Sequence, residues 1–331
     1  MAGIDAVVTG AGGFIGGHLT RALLAEGKSV RAVDRKPVEE WYQIHDDAVN
    51  TVRDLSLRDA CVQVLDGGAG EVYHLAADMG GMGFIESHKA ACMLSVLSST
   101  HMLLAARDSG VGRYFYSSSA CVYAADKQTD ADVTALREED AYPAMAEDGY
   151  GWEKLFSERM ARHFREDYGL AARAARYHNV YGPYGTWTGG REKAPAAACR
   201  KVAAAVLSGA REVEIWGDGE QTRSFTYIDD CVEGTLRLAR SEVTEPLNVG
   251  SDQLVSINQL YAIVEQIAGV ELSHRHIPGP LGVRGRNSDN TRIYKELGWQ
   301  PGISLLEGLE PTYRWVYDQL KAQLDGRPHQ V

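Results

Sequence analysis

Along the first 177 residues, short apolar runs alternate with longer stretches in which apolar positions recur every three or four residues. The short, β-branched or aromatic runs predict β-strands at 5–10, 29–34, 71–77, 113–119 and 171–177. The helical periodicity predicts helices at 16–27, 88–110 and 151–169. Alternating strands and helices are typical of an α/β protein, so we expect a doubly wound parallel sheet of Rossmann type with right-handed crossovers.

The sequence pattern changes after about residue 177, where Gly/Pro-rich loops and shorter helical segments replace the regular alternation of strands and helices. This change predicts a second, smaller mixed α/β lobe formed mostly by the C-terminal half. We therefore divide the chain into a Rossmann domain at 1–176 and a substrate-binding lobe at 177–331. The segment at about 225–252 is expected to return to the Rossmann domain.

The composition excludes several classes of protein. Hydrophobic residues make up 44% and charged residues 24% of the chain, and no apolar run approaches the roughly 20 residues of a membrane helix, so we expect no membrane span. A net charge of -11 argues against nucleic-acid binding, and any anionic ligand then needs a local cationic pocket. Five scattered cysteines without a C-x-x-C pair, and an N-terminus without a signal peptide, predict a cytoplasmic protein with reduced thiols.

A glycine-rich stretch, TGAGGFIGG at 9–17, lies between the first predicted strand and the first predicted helix. Gly10, Gly13 and Gly16 permit a tight turn there and let a diphosphate reach the N–H groups at the start of the helix. Phe14 and Ile15 belong to the same turn. The sequence therefore predicts a dinucleotide site, and the alternative is a structural turn whose glycines only relieve crowding of the backbone.

Acidic residues after the next two strands extend this cofactor prediction. Asp34 ends the second strand, about 20 residues after the glycine loop, where a carboxylate can accept hydrogen bonds from the adenosine ribose. An acid at that position favours NAD over NADP, whereas the adjacent Arg35 is able to pair with a 2′-phosphate. Asp54 follows the third strand and is a candidate to hydrogen-bond the adenine, or else a solvated loop acid.

Tyr150 and Lys154 lie four residues apart at the start of a predicted helix, so both side chains lie on one face. A neighbouring ammonium stabilises a phenolate, which lets a tyrosine act as a base near neutrality. Ser119 ends the preceding predicted strand and is placed to hold the same substrate oxygen. A helix with Tyr and Lys at this spacing is common, and the order after the glycine loop and the serine strand is what favours the catalytic interpretation.

The glycine loop, Ser119 and the Tyr150/Lys154 pair resemble the extended short-chain dehydrogenase/reductase superfamily, which implies NAD(P) and often a nucleotide-sugar substrate. Four longer stretches narrow the resemblance: SSACVY, LAADMGGMGFI, RYHNVYGPYGTWTGGREKAPAAACRK and IPGPLGVRGRNSDN. Over nearly the whole chain they are similar to the GDP-mannose 3,5-epimerase family. This resemblance implies an isomerase that oxidises the sugar at C4, which makes the protons at C3 and C5 acidic, and then reduces it again.

The same resemblance assigns the acid/base roles of the inversion to Cys121 and Lys193. A thiol and a desolvated lysine are both suitable proton carriers near neutrality. Cys121 lies two positions after Ser119, so we expect it on the same side of an extended segment, facing the same sugar. The alternative for a free cysteine is a small buried core residue, and the stretch GGREKAP around Lys193 is what favours a functional one.

A GDP-sugar requires cations, and arginines and lysines are frequent in the second half of the chain. By resemblance, the substrate-contacting positions are Gly80, Asn179, Glu192, Lys201, Gln221, Arg223 and Arg286. Taken singly, several of these charges are also explained as solvated surface groups. The ten histidines show no metal-ligand pattern, and we interpret His274 and His276 as an exposed strand pair, so no metal is expected.

The resemblance thus implies NAD-dependent epimerisation of GDP-mannose at C5, C3 or both, giving GDP-L-gulose or GDP-L-galactose. Three alternatives stay open: another nucleotide-sugar 4-epimerase, a 4,6-dehydratase, and a non-catalytic NAD-binding regulatory protein. The two long helices predicted at 88–110 and 151–169 are expected to pair with their two-fold mates, which predicts a homodimer.

Overall fold

The computed structural model describes residues 3–280 and 282–326. Its strands are β1 Ile4–Thr9, β2 Val30–Asp34, β3 Val49–Val52, β4 Ala69–His74, β5 Arg113–Ser119, β6 Ala172–Tyr177, β7 Val180–Tyr181, β8 Glu212–Trp216, β9 Thr222–Ser224, β10 Thr226–Tyr227, β11 Leu247–Val249, β12 Leu254–Ser256, β13 Ser273–Ile277 and β14 Gly285–Arg286. Its helices are α1 Phe14–Ala25, α2 Arg58–Val64, α3 Met82–Ser87, α4 Lys89–Asp108, α5 Asp148–Tyr168, α6 Ala194–Ser208, α7 Ile228–Ala239, α8 Ile257–Ala268, α9 Thr291–Leu297 and α10 Leu305–Leu324. Short 3-10 turns lie at Val38–Glu40, Ala120–Val122, Ala125–Gln128 and Glu138–Ala141.

A seven-stranded parallel sheet forms the centre of the fold, in the order β11-β6-β5-β4-β1-β2-β3. This confirms the predicted doubly wound Rossmann sheet. The strands β4, β5 and β6 have near-continuous buried runs because helices cover both faces of the sheet. Thr9 pairs with His74 and Ser119 pairs with Tyr177, so the segments that follow β1, β4, β5 and β6 leave the same edge of the sheet.

Two apolar cores lie on opposite faces of this sheet. On one face, α2, α4 and α5 pack against the strands. On the other face, α1 and α7 pack against the strands, and the same core continues into α6, α8 and α10 of the second lobe. One core thus connects the sheet to the second lobe.

The second lobe contains three small sheets. Strand β9 lies between β12, which is antiparallel to it, and β14, which is parallel; β8 pairs with β13, and β7 pairs with β10. The chain between these strands also supplies α7 and then β11, which joins the large sheet beside β6. His274 and His276 lie on β13, with a ring nitrogen of His274 2.6 Å from Glu265. Among the described residues, no group of three or more His, Cys, Asp or Glu side chains is arranged to hold a metal ion.

Helix α4 is long and apolar enough, by length and composition alone, to cross a membrane, whereas the sequence was expected to hold no such segment. The mean hydropathy of its most apolar window is 1.3, and 44% of that window is buried inside the protein. One such helix is weak evidence for a membrane protein, since core helices pass the same test. Here α4 packs against α2, β4 and α5, as a core helix does, and leaves one side exposed.

Candidate active site

The glycine loop forms a close turn between β1 and α1. Gly10 adopts a positive φ of 70°, and a Cβ at Gly16 would lie 2.2 Å from the Gly10 carbonyl oxygen, so neither position accepts a side chain. Gly13 is the N-cap of α1 and offers no side-chain acceptor, which leaves the first N–H groups of the helix, at Phe14 and Ile15, without a side-chain cap. A cradle of glycine backbone in front of an uncapped helix start fits the diphosphate of a dinucleotide.

The predicted ribose residue lies beside this loop, and the predicted adenine residue lies in a turn after β3. Asp34 ends β2, and its carboxylate accepts hydrogen bonds from the N–H groups of Gly12, at 3.1 Å, and Lys36, at 3.0 Å. Arg35 donates to Asp78, 3.1 Å away, so its guanidinium is already paired. Asp54 closes a local turn by accepting from the Ser56 N–H at 2.9 Å, and that hydrogen bond lowers its pKa.

Tyr150 lies in the first turn of α5, which begins three residues before the predicted start, and its side chain is buried. Burial raises the pKa of the Tyr150 phenol well above its usual range, while a hydrogen bond with Ser119 acts in the opposite direction. Ser119 is the last residue of β5, as predicted. The structure therefore brings the Ser119 hydroxyl close enough to the Tyr150 phenol to influence its pKa.

Lys154 lies one turn further along α5, fully enclosed, and donates to the Ser117 carbonyl oxygen at 3.0 Å. Its ammonium is 5.6 Å from the centre of the Tyr150 ring. Desolvation lowers the pKa of Lys154, and the Glu153 carboxylate, 3.8 Å away, counteracts that effect. We call Ser119, Tyr150 and Lys154 the phenol centre.

Cys121 does not lie in an extended segment, so that premise of the sequence analysis was wrong. Strand β5 ends at Ser119, whose hydroxyl accepts the Cys121 N–H at 3.2 Å and starts a 3-10 turn. The turn packs against the start of α5, where Gly151 leaves room: a Cβ there would lie 2.2 Å from the Cys121 carbonyl oxygen. The thiol therefore reaches the same side as Tyr150 through a turn and a helix contact.

Three cationic side chains from the second lobe surround the Cys121 thiol. A guanidinium nitrogen of Arg286 lies 3.7 Å from Cys121 Sγ. Burial lowers the pKa of Lys193, and it lowers the pKa of Arg223 to about 10; a thiolate at Cys121 opposes both shifts. We call Cys121, Lys193, Arg223 and Arg286 the thiol centre.

Three further predicted substrate residues lie in segments that border the cleft. Gly80 precedes Gly81, whose N–H donates to the Arg191 carbonyl oxygen at 2.9 Å, so the two loops touch. Glu192 accepts hydrogen bonds from the Gly190 N–H at 2.7 Å and from Arg200 at 2.9 Å. Asn179, at a positive φ of 44°, donates its side-chain amide to the Ser224 carbonyl oxygen at 2.9 Å, next to Arg223 on β9.

Lys201 and Gln221 form a separate group around Trp216. The Lys201 ammonium donates to the Glu214 carbonyl oxygen at 2.7 Å and lies 5.4 Å from the centre of the Trp216 ring. Gln221 donates to the Trp216 carbonyl oxygen at 3.2 Å, and its own amide oxygen is buried without a partner in the described residues. This group offers an exposed aromatic ring with polar neighbours, and Gln221 is two residues before Arg223 of the thiol centre.

Sequence reasoning missed three side chains that contact the predicted residues, two of them buried and one, Glu147, partly buried. Gln128 and Glu147 both contact the Arg286 guanidinium, and Glu153 contacts Lys154. One signal was present for Glu153, since a charged residue directly before Lys154 falls on the buried side of a helix. No spacing pattern points to Gln128 or Glu147, because their partner lies about 140 to 160 residues away.

Comparison with known proteins places this arrangement in a family. The profile of the NAD dependent epimerase/dehydratase family matches residues 6–250. A GDP-mannose 3,5-epimerase 1 from Oryza sativa subsp. japonica is 49% identical over 317 residues, covering 96% of this chain and 82% of that protein. A GDP-mannose 3,5-epimerase from Arabidopsis thaliana is 48% identical over 318 residues, covering 96% and 83%.

Solved structures agree with the sequence comparisons. A UDP-glucose 4-epimerase from Thermotoga maritima, solved with UDP-glucose, has a TM-score of 0.84 at 26% identity, covering 96% of this chain and all of that one. MoeE5 in complex with UDP-glucose and NAD has a TM-score of 0.78 at 29% identity, covering 96% and 99%. The predicted cofactor is therefore confirmed as NAD, and the chain belongs to the NAD-dependent epimerase/dehydratase family, among the nucleotide-sugar enzymes that include the GDP-mannose 3,5-epimerases.

Proposed function

We propose that the protein epimerises GDP-mannose at C5, or at C3 and C5, through a transient 4-keto sugar, with GDP-L-gulose or GDP-L-galactose as products. The observation that carries this proposal is the contact between two acid/base centres across Gly151, one around Tyr150 and one around Cys121. The similarity to two plant GDP-mannose 3,5-epimerases over nearly the whole chain supports the choice of substrate.

The phenol centre acts on the C4 hydroxyl. The glycine loop and Asp34 would hold NAD, which when bound supplies a hydride acceptor for C4 and returns the hydride at the end of the reaction. Tyr150 takes the C4 hydroxyl proton, Ser119 orients that oxygen, and the Lys154 ammonium stabilises the phenolate. Because burial disfavours the phenolate, the positive charge of Lys154 is needed for this step.

The thiol centre acts on the C–H bonds next to C4. Once C4 is a ketone, the protons at C3 and C5 are acidic enough to be removed as an enolate forms. Inversion needs a base on one face of the sugar and an acid on the other, and Cys121 and Lys193 are the two protonatable groups that approach each other there. Desolvation lowers the pKa of Lys193, which increases the fraction of neutral amine that is able to accept a proton.

The cations near the cleft offset the negative charge of the protein as a whole. With a net charge of -11, the chain binds a GDP-sugar only where positive groups are concentrated. Arg223 lies next to the thiol centre, and Lys201 lies beside the exposed Trp216. We assign the sugar end of the substrate to the thiol centre and the nucleotide end to the group around Trp216.

The thiol centre also separates this proposal from its alternatives. A 4-epimerase or a regulatory NAD-binding protein has no use for a thiol and an amine beside the phenol centre. A 4,6-dehydratase needs an acid/base pair directed at C5 and C6, and it leaves C3 untouched. The pattern of proton exchange on the sugar therefore identifies the reaction.

The decisive experiment is incubation of the purified protein with GDP-mannose in D2O, followed by NMR of the hexose protons. Deuterium at C5, with or without C3, together with L-configured products, supports the proposal and counts the centres inverted. Loss of water at C6 would indicate the dehydratase. No exchange in protein with bound NAD would contradict the proposed substrate, and the same assay would then be run with UDP-glucose.

We also propose that the protein is a homodimer in which α4 and α5 pair with the same helices of a second copy. Their outward sides carry large apolar side chains that are 40–60% exposed, namely Met93, Leu94, Leu97, Trp152 and Phe156. Sedimentation equilibrium is expected to give a dimer, and Leu94→Glu with Phe156→Glu a monomer. A monomeric unsubstituted protein would contradict this proposal.

The proposed location is the cytoplasm. All five cysteines are free and buried, and none is paired in a disulfide, as is common where thiols stay reduced. Fractionation of the native host, with detection of the chain in the soluble fraction, tests the location. Recovery from the membrane fraction would instead direct attention to the apolar side of α4.

A further inference from the structure

The Arg286 guanidinium has three contacts inside the protein, and only 5% of the residue is exposed. Its Nε donates to the Gln128 side-chain oxygen at 2.6 Å, and its terminal nitrogens contact the Glu147 carboxylate and the Cys121 thiol. Gln128 is itself almost completely buried. Because a buried guanidinium without a carboxylate is strongly unfavourable, Glu147 is what permits a cation at this position.

Glu147 also holds the other partner of this contact. Its backbone N–H donates to the Cys121 carbonyl oxygen at 2.9 Å, so one residue fixes both the turn that carries the thiol and the cation beside the thiol. Glu147 is the N-cap of α5, three residues before Tyr150. The segment that starts the catalytic helix is therefore bonded to both ends of the Cys121–Arg286 contact.

We propose that Glu147, together with Gln128, is a positioning residue that holds the Arg286 guanidinium against the Cys121 thiol. This inference rests on the proposed function, in which Cys121 carries a proton to or from the sugar. A fixed cation 3.7 Å from the sulfur stabilises the thiolate each time the proton leaves. Glu147 acts through Arg286 and does not itself touch the substrate.

Other ionisable groups face the thiol and would also influence its protonation. They come from each element packed around the turn: Lys154 and Tyr150 on α5, Lys193 at the start of α6, Arg223 on β9 and Arg286 on β14. Two carboxylates contact cations of this group: Glu147 contacts Arg286, and Glu153 lies 3.8 Å from Lys154. An experiment on Glu147 must therefore distinguish two effects on the thiol: the direct effect of the Glu147 charge, and the effect of Glu147 on the position of Arg286.

The pH dependence of Cys121 alkylation by iodoacetamide makes that separation, with modification read by mass spectrometry of the peptide that contains Cys121. Arg286→Gln removes the cation, so the midpoint of the alkylation profile is expected to rise by about one pH unit. Glu147→Ala is expected to raise the midpoint by a similar amount, because the guanidinium then leaves the thiol. Combining the two substitutions should add little to Arg286→Gln alone.

The opposite sign would overturn the proposal. If Glu147 acts only as a nearby negative charge, removing it stabilises the thiolate, and the midpoint of Glu147→Ala falls. An unchanged midpoint would equally show that Glu147 does not place Arg286. Glu139→Ala, an exposed glutamate in a neighbouring turn, serves as the matched control and should leave the profile unchanged.

Two further measurements keep the result interpretable. Gln128→Ala should shift the profile in the same direction as Glu147→Ala, and thermal unfolding of each variant checks that the fold is retained. Alkylation is measured without any sugar, so a failed epimerase assay does not affect it. Conversely, if Glu147→Ala raises the midpoint as expected but GDP-mannose shows no exchange, the proposed substrate is rejected and the positioning role is retained.

Discussion

The phenol centre and the thiol centre lie side by side but are assembled in different ways. The phenol centre comes from the end of β5 and the first two turns of α5, within the segment 117–154. The thiol centre joins Cys121, in the 3-10 turn that follows β5, to side chains from three remote segments. Cys121 and Arg286 are 165 residues apart in sequence. The phenol centre, proposed to act at C4, is thus formed by nearby segments, whereas the thiol centre depends on the packing of the whole chain.

The two centres also differ in their electrostatics. Tyr150 is buried, which disfavours its charged form, and Lys154 is the ammonium beside it. Cys121 instead faces three basic side chains of the second lobe, of which Arg286 is neutralised by Glu147. In the proposed mechanism, hydride chemistry thus uses a compact geometry built from neighbouring segments, whereas proton transfer at carbon also uses basic side chains of the second lobe.

Tyr150→Phe should have the largest effect, because it stops the first step on which the thiol centre depends. Without removal of the C4 hydroxyl proton no ketone forms, so the protons at C3 and C5 stay inert. We expect the turnover rate to fall on the order of a thousandfold or more, with exchange lost at both carbons in the D2O assay. Tyr294→Phe, at an exposed tyrosine, is the control and should be fully active. Residual exchange at C5 alone would show that the centres do not act in sequence.

Cys121→Ser should separate the centres, because it removes the thiol and leaves the phenol centre complete. Inversion is expected to slow by about a hundredfold or more, while transfer of the C4 hydrogen continues. The measurement is deuterium exchange at C3 and C5 alongside the absorbance of reduced nicotinamide. Cys199→Ser, at a buried thiol on α6, controls for loss of a core cysteine. Equal loss of both activities would contradict separate roles.

Gly151→Ala should push the two centres apart. The new Cβ would lie 2.2 Å from the Cys121 carbonyl oxygen, so either the turn or α5 must move. Overpacking of this kind typically lowers the free energy of unfolding by about 1–3 kcal/mol, which thermal unfolding will detect. A matched substitution is Gly302→Ala, where a Cβ meets nothing within 4 Å. An unchanged melting temperature would contradict close packing between Gly151 and the Cys121 carbonyl oxygen.

Glu153→Gln should give the smallest change, confined to the pH profile of the phenol centre. The carboxylate 3.8 Å from Lys154 raises the pKa of that lysine, so its removal lowers the pKa further. The ammonium is then lost earlier as pH rises, and the alkaline limb of the hydride-transfer profile should move to lower pH by about one unit. Glu166→Gln, on the exposed end of α5, is the control.

Much of the phenol centre and of the fold could be predicted because the signals are local. Strand β5 was predicted with its observed bounds. The loop from Gly10 to Gly16 was predicted from the spacing of its glycines between a strand and a helix. The helix spacing of Tyr150 and Lys154 placed both on one face before any tertiary information. Family similarity then supplied the role of Cys121.

Other features depended on contacts that a linear pattern does not express. The extended path expected for 119–121 was wrong, because the Ser119 hydroxyl caps a 3-10 turn at that point. Gln128 and Glu147 gave no signal, since they matter through a guanidinium more than 100 residues away. Asp54 was found by its position after a strand, and its place in a local turn does not decide between an adenine contact and a solvated acid.

The sequence by itself determined the doubly wound sheet, the dinucleotide loop and the order of Ser, Tyr and Lys, because each depends on the periodicity or backbone freedom of a few consecutive residues. Only the tertiary structure decided which cations meet Cys121 and which carboxylate holds one of them. Those contacts form where β14, α6 and the start of α5 converge, and the packing of the complete chain sets that convergence.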